Sequence, residues 1–175
     1  MGQVAPHQPV LRILAAFSRY EAALDWARVQ AVAAWGPIAL ESDRFPFVET
    51  DYYQRTMGDQ LLKTFFAFEQ RIDPAELVDA KLASNDWEEA YCQAADLPES
   101  RPLNLDPGYI SPAKLVLATT KDRDHRLYLD RGIYAEVTLH FKGGVWTSRD
   151  WTYPDYKRPD FQTFFTRCRE YLRRG

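Results

Sequence analysis

Residues 133–142 constrain this chain more than any other stretch. Ile133, Ala135, Val137, Leu139 and Phe141 alternate with Tyr134, Glu136, Thr138, His140 and Lys142. Successive side chains of a strand point to opposite faces, so strict period two predicts one buried face and one open face. Gly143-Gly144 follows and suits a two-residue turn. Before it, Leu127 and Leu129 alternate with Arg126 and Tyr128, and Asp130-Arg131-Gly132 forms the link. Gly132 fits the left-handed last position of a three-residue hairpin loop.

Closing Leu129 against Ile133 sets Tyr128 opposite Tyr134 and Arg126 opposite Glu136. Opposite charges and paired aromatics are what cross-strand energetics favour. Closing Lys142 against Val145 brings His140 beside Thr147, Thr138 beside Arg149 and Glu136 beside Trp151. The expectation is a patch on an open sheet face: Arg126, Tyr128, Tyr134, Glu136, Thr138, His140, Arg149 and Trp151. Its register matters, because a slip of one residue sends every side chain to the other face.

The rest of the chain reads as strands and helices in alternation. Val10–Phe17 is a short apolar run, hence a buried strand. Ser18 with Glu21 matches a capping box, and Gly36-Pro37 ends the helix that follows. Ile38–Glu41 is a short strand, and Phe45-Pro46-Phe47 is extended because proline disfavours helix before it. Met57-Gly58 reads as loop and Leu61–Glu69 as strand. Asp73-Pro74 with Glu76 opens a second helix, with Leu77, Ala80, Trp87 and Tyr91 on its buried side. Beside them, Lys81, Asn85 and Glu88 form a polar line, read as a solvated flank.

Asp106-Pro107-Gly108-Tyr109 fits a type II turn, with proline and glycine in the two central positions. Ser111-Pro112 opens either a helix through Val116 or a strand over Leu115–Thr119. Pro159–Arg174 carries Phe161, Phe164, Phe165, Cys168 and Leu172 on one helical stripe, with arginines crowding the negative end of the helix dipole. The fold class is therefore α+β: an antiparallel or mixed sheet with two to three helices, in ferredoxin-like order with additions. Residues 1–9 form a disordered tail and 10–175 a single domain, since 175 residues suffice for one real core.

Composition limits the function classes. Twenty-two basic against 25 acidic residues give a net charge of −3, which argues against wholesale nucleic-acid binding. No apolar run reaches the roughly 18 residues of a membrane span, and the N-terminus lacks the basic start and apolar core of a signal peptide. Pro6 stands where a myristoylation motif wants Ser or Thr. Cys92 and Cys168 form no CxxC pair and sit at apolar helix positions, so the expected location is cytoplasmic with reduced thiols.

No Walker A loop, GxGxxG, GxSxG or HExxH occurs. Glu136 and His140 lie four strand residues apart, about 13 Å, too far to share a metal. No metal site and no cofactor is identified. The chemistry expected of the patch is binding of an anionic small molecule, a nucleotide or phosphoester. Arg126 and Arg149 would grip phosphate, and His140 and Glu136 would supply acid–base catalysis. Asp106, Lys121 and His125 would line the mouth if the connector folds over the patch. Two other uses of the same residues remain open. Tyr128, Tyr134 and Trp151 could stack single-stranded nucleic acid. Trp151–Tyr156 could anchor a protein partner.

Several runs carry a family resemblance: FPF at 45–47, DYY at 51–53, Met57-Gly58, FFAFE at 65–69, NLDPGY at 104–109, KLVLATTK at 114–121, HRLYL at 125–129, GIYAEVTL at 132–139 and WTYPDY at 151–156. They resemble a prokaryotic family, domain of unknown function 4416, over nearly the whole chain after the tail. The family pattern has an acidic residue before Met57, where this chain has Thr56. Members are often labelled GTP-binding. Here the phosphate-binding loop is absent, and Thr120-Lys121-Asp122 is followed by Arg123 where a guanine-reading TKxD needs Asp. The resemblance implies no activity, cofactor or catalytic residue.

Overall fold

The structure, a computed structural model, describes residues 2–174. Residues 2–9 are exposed and carry no helix or strand; residue 1 of the expected tail lies outside the described residues. The fold is α+β, with four helices and one open antiparallel sheet of nine strands. The strands are β1 (Val10–Ser18), β2 (Ile38–Glu41), β3 (Phe45–Pro46), β4 (Leu62–Ile72), β5 (Asn104–Ile110), β6 (Lys114–Thr119), β7 (Leu127–Asp130), β8 (Ile133–Lys142) and β9 (Val145–Ser148). The helices are α1 (Glu21–Trp35), α2 (Gln54–Met57), α3 (Leu77–Ala94) and α4 (Pro159–Arg174). The strand order is β2-β4-β1-β5-β6-β8-β7, with β3 added on β4 and β9 on β8.

Both faces of this sheet are covered. Leu14, Ala16, Phe66 and Phe68 pack on α1 and α3, whereas Ile13, Ala15, Phe65 and Ala67 pack on α4. That explains why β1, apolar but for Arg12 and Ser18, is buried along its length. α4 buries the stripe read from its sequence, and burial pushes the Cys168 thiol up from its ordinary pKa. The Asp73 cap forms as expected: its carboxylate accepts from Ala75 N at 2.8 Å, and Glu76 accepts from Asp73 N at 3.0 Å.

Ser18 departs from the capping reading. It is the last residue of β1; its hydroxyl donates to Pro102 O at 2.6 Å and accepts from Tyr20 N at 2.9 Å. α2 is a single turn where a loop was expected. The Asp106–Tyr109 turn does not form either. Those residues lie within β5, pairing along β1 from Phe17↔Asn104 to Leu11↔Ile110. A strand neighbour overrides the local turn preference, and Gly108 serves packing instead. A Cβ there would meet Val116 O at 2.4 Å, so only glycine lets the two backbones approach. The open choice over 111–120 resolves as strand β6.

Pro107 has a further consequence. The β5–β6 ladder covers only Gly108–Ile110 against Leu115–Leu117. One step beyond, proline has no N–H to give. From there β5 stays with β1 while β6 stays with β8 as far as Thr119↔Tyr134. The two strands part, and a wedge opens in the sheet.

The β7–β8 hairpin keeps Tyr128↔Tyr134 as expected, but Asp130 pairs with Ile133. Its loop is therefore two residues, Arg131 and Gly132, both with positive φ. The Gly143-Gly144 turn and the His140↔Thr147 pairing form as read. Leu127 and Leu129 are exposed rather than buried, because β7 is an edge strand. The alternation of β8 is not one-faced either. Leu115 pairs with Leu139 but Val116 with Val137, so Thr138 is an extra residue, a β-bulge. Before the bulge Ile133, Ala135 and Val137 pack toward α3; after it Leu139 and Phe141 pack toward α4.

Candidate functional site

The wedge between β5 and β6 leads into a cavity of about 580 Å3. Its floor is built from strand residues: Phe17 of β1, Lys63 of β4, Asp106 of β5 and Glu136 of β8. Lys81 and Asn85 of α3 reach it through the gap. Two segments cover it, the 47–53 loop and the strap running from Trp151 to Tyr156 between β9 and α4.

Three ion pairs form the floor, two of them fully buried. Lys63 Nζ donates to Asp155 Oδ2 at 2.6 Å, with side chains 3% and 4% exposed. The ammonium also lies 4.4 Å from the Tyr156 ring centroid and 5.0 Å from that of Phe47. Lys81 Nζ donates to Leu105 O at 2.8 Å and to Asp106 Oδ1 at 3.3 Å. Arg126 Nε donates to Glu136 Oε2 at 2.9 Å, Nη1 to Lys121 O at 3.0 Å and Nη2 to Tyr153 OH at 2.9 Å. All three nitrogens of that guanidinium are engaged within the protein, so Arg126 ties connector, strand and strap together.

Asp106 differs from the other acids. Its side chain keeps 30% of its surface, opening on the cavity, and Asn104 Nδ2 donates to its Oδ2 at 2.8 Å. Burial works against its charge, but Lys81, Lys63 and Arg101, with the Asn104 hydrogen bond, hold its pKa below the ordinary carboxylate range. Asp106 is therefore ionised at neutral pH. Glu136 is 2% exposed and accepts from Arg126 and from Thr138 Oγ1 at 3.2 Å. Burial holds the Tyr53 and Tyr156 phenols up, with acid neighbours adding to it. The Tyr156 hydroxyl is buried with no hydrogen-bond partner among the described residues.

The mouth is unlike the floor. Lys121 and Arg123 are exposed, and Lys121 Nζ donates to Tyr52 OH at 3.3 Å from across the opening. Trp151 stacks on His125, with ring centroids 5.0 Å apart and planes at 11°, and its Nε1 donates to Val137 O at 3.1 Å. His125 stands between two acids, 3.3 Å from Glu136 Oε2 and 3.0 Å from Asp124 Oδ1. Arg101, nearby, is paired with Glu88 at 2.9 Å.

Of the residues singled out in the sequence, Arg126, Glu136, Trp151, Asp106, Lys121 and His125 line this cavity. Tyr128, Tyr134, Thr138, His140 and Arg149 are not among its lining residues. The bulge at Thr138 turns His140 to the face opposite Leu139 and Phe141, away from Glu136. Strand β9 ends at Ser148, so Arg149 and Trp151 never pair with Thr138 and Glu136. Instead the chain turns, and Thr152 Oγ1 donates to Thr138 O at 2.6 Å. Tyr128 and Tyr134 pack on each other while Trp151 takes His125, so the three aromatics form no single platform. Of the face read as open, Arg126 and Glu136 are buried beneath the strap, while Tyr128 stays 60% exposed.

Lys63, Lys81, Asn85, Arg101 and Asp155 went unnoticed as site residues. Two signals pointed to them. Lys63 shares the buried parity of Phe65 and Ala67 in β4. The Lys81-Asn85-Glu88 line was visible, but it is an inner flank: Lys81 is buried, and Glu88 accepts from Leu105 N at 2.7 Å.

Among the described residues no three His, Cys, Asp or Glu side chains are grouped to hold a metal ion. No helix among them is long and apolar enough to cross a membrane. A family model described as a domain of unknown function, DUF4416, matches residues 8–171, so the chain belongs to that family. No curated protein and no solved structure matches it.

Proposed function

We propose that this member of the DUF4416 family binds a small anionic ligand, a nucleotide or phosphoester, in the cavity between β5 and β6. One observation carries the reading. The cavity is lined by six basic side chains, Lys63, Lys81, Arg101, Lys121, Arg123 and Arg126, against four acidic ones, Glu49, Asp106, Glu136 and Asp155. The whole chain has the opposite balance, −3. The excess sits at the mouth. Lys63, Lys81 and Arg126 each have an acid on the floor, and Arg101 has Glu88. Lys121 and Arg123 remain to receive an anion, and a Lys–Arg couple suits a phosphate dianion. Tyr52, Tyr53, Trp151 and Tyr153 supply aromatic walls for a flat or apolar part. The volume falls within the roughly 300–1,000 Å3 of small-molecule sites.

Calorimetry and thermal shift with AMP, ribose 5-phosphate and pyrophosphate test this. At least one should bind and raise the melting temperature, by about 2.7 kcal/mol of stabilisation at 100 times Kd. A Lys121→Ala/Arg123→Ala variant should bind it at least tenfold more weakly. Silence of the parent protein toward the whole panel, or unchanged affinity in the double variant, overturns the reading.

A further inference from the structure

The floor and the mouth of the cavity differ in what they leave available to a ligand. On the floor, Lys63, Lys81 and Arg126 meet Asp155, Asp106 and Glu136 one for one, so an anion gains no net attraction there. Five of these six side chains are between 2% and 6% exposed, and Asp106 alone keeps 30% of its side-chain surface. A ligand that reaches the floor therefore meets chiefly a carboxylate. Asp106 Oδ2 already takes a hydrogen bond from Asn104 and Oδ1 one from Lys81. Each carboxylate oxygen has lone-pair capacity for a second donor. An ionised carboxylate repels phosphate and attracts hydroxyl or amino hydrogens. Lys121 and Arg123, which meet no acid among the described residues, stand by contrast at the exposed end. The site is thus polarised along its depth, acceptor below and cations above.

We propose that the ligand is a phosphorylated polyol that enters hydroxyl end first, with Asp106 accepting from its hydroxyls at the floor and Lys121 and Arg123 holding its phosphate at the mouth. This rests on the anion-binding reading above and adds the orientation and the second recognised group. Free sugar phosphates and nucleotides share this chemistry, the latter through the ribose. A simple anion lacking donors uses the mouth alone.

The experiment compares ribose 5-phosphate with n-pentyl phosphate, which has the same carbon count and no hydroxyls, by calorimetry on the parent protein. Ribose 5-phosphate should bind at least tenfold more tightly. In Asp106→Asn that preference should fall to within about twofold, and pentyl phosphate should bind as well as to the parent or better, because the repulsion is gone. Equal affinity of the two phosphates for the parent overturns the inference while the anion site stands. So does an Asp106→Asn variant that keeps the full preference. If neither phosphate binds the parent, the inference falls together with the anion site. The two-ligand comparison on the parent decides the matter even if Asp106→Asn folds poorly.

Discussion

The floor and the mouth of one cavity hold the same residue types in opposite conditions. Below, lysines and an arginine are buried and matched to acids; above, Lys121 and Arg123 are exposed and matched to no acid among the described residues. The difference separates charge that shapes the protein from charge that can be used by a ligand. Desolvating an ion costs several kcal/mol, and a buried pair recovers that only through tight geometry. The floor pairs are therefore fixtures, and their removal should be felt in stability first. The mouth residues already face water, so their removal should be felt in binding first.

The largest expected effect is on the Lys63–Asp155 pair. Lys63→Met leaves a carboxylate that is 4% exposed without its counter-ion and should cost about 3–5 kcal/mol in urea unfolding. Adding Asp155→Leu removes the orphaned charge and should recover most of that loss. A single variant that unfolds within 1 kcal/mol of the parent would place Lys63 with the mouth cations instead, and the contrast would collapse.

The second effect has the opposite sign. Tyr156 OH is a floor group with no partner among the described residues, so it carries a desolvation penalty that no bond to them relieves. Tyr156→Phe keeps the ring stacked on Phe165 at 10° and deletes only the hydroxyl. It should stabilise the ligand-free protein by about 1 kcal/mol in the same urea assay. A loss of stability would mean that the hydroxyl is satisfied after all, by solvent, and that the floor is wetter than its burial implies.

How far such a site can be read in advance follows from the range of the interactions involved. The Arg126–Glu136 couple was legible because both residues belong to one hairpin whose turn sets the register. The Gly143-Gly144 turn and the stripe of α4 were legible for the same local reason. The bulge at Thr138 was not, because it compensates for packing on two opposite sides of the sheet. The alternation of β8 looks identical whether one face is buried or the two halves are buried on opposite faces. The turn-like Asp106–Tyr109 run becomes strand because β1, far earlier in the chain, supplies hydrogen bonds that the local sequence does not announce. The cover was also out of reach. Asp155 meets Lys63 across 92 residues, a long-range pair that helps fasten the strap.

The smallest effect is a pH dependence, and it tests whether Asp106 belongs to the floor or the mouth. Its folded pKa is depressed; burial opposes the charge, yet Lys81, Lys63 and Arg101 outweigh it. A depressed carboxylate contributes stability that is fully present above its unfolded pKa, about 3.9. That contribution is lost as pH falls through the lower folded value. Near neutral pH, Asp106→Asn should therefore be less stable than the parent, with Lys81 buried beside a neutral amide. As pH drops below about 4 toward that lower folded value the parent progressively loses the same interaction, so the two unfolding curves should converge. Lys121→Ala, at an exposed side chain whose partner is the Tyr52 hydroxyl, should run parallel to the parent over this acid range. A constant gap between Asp106→Asn and the parent down to acid would mean that the cations do not hold this carboxylate ionised. The polarity assigned to the cavity depends on that charge, and the distinction between its two ends would then rest on the mouth alone.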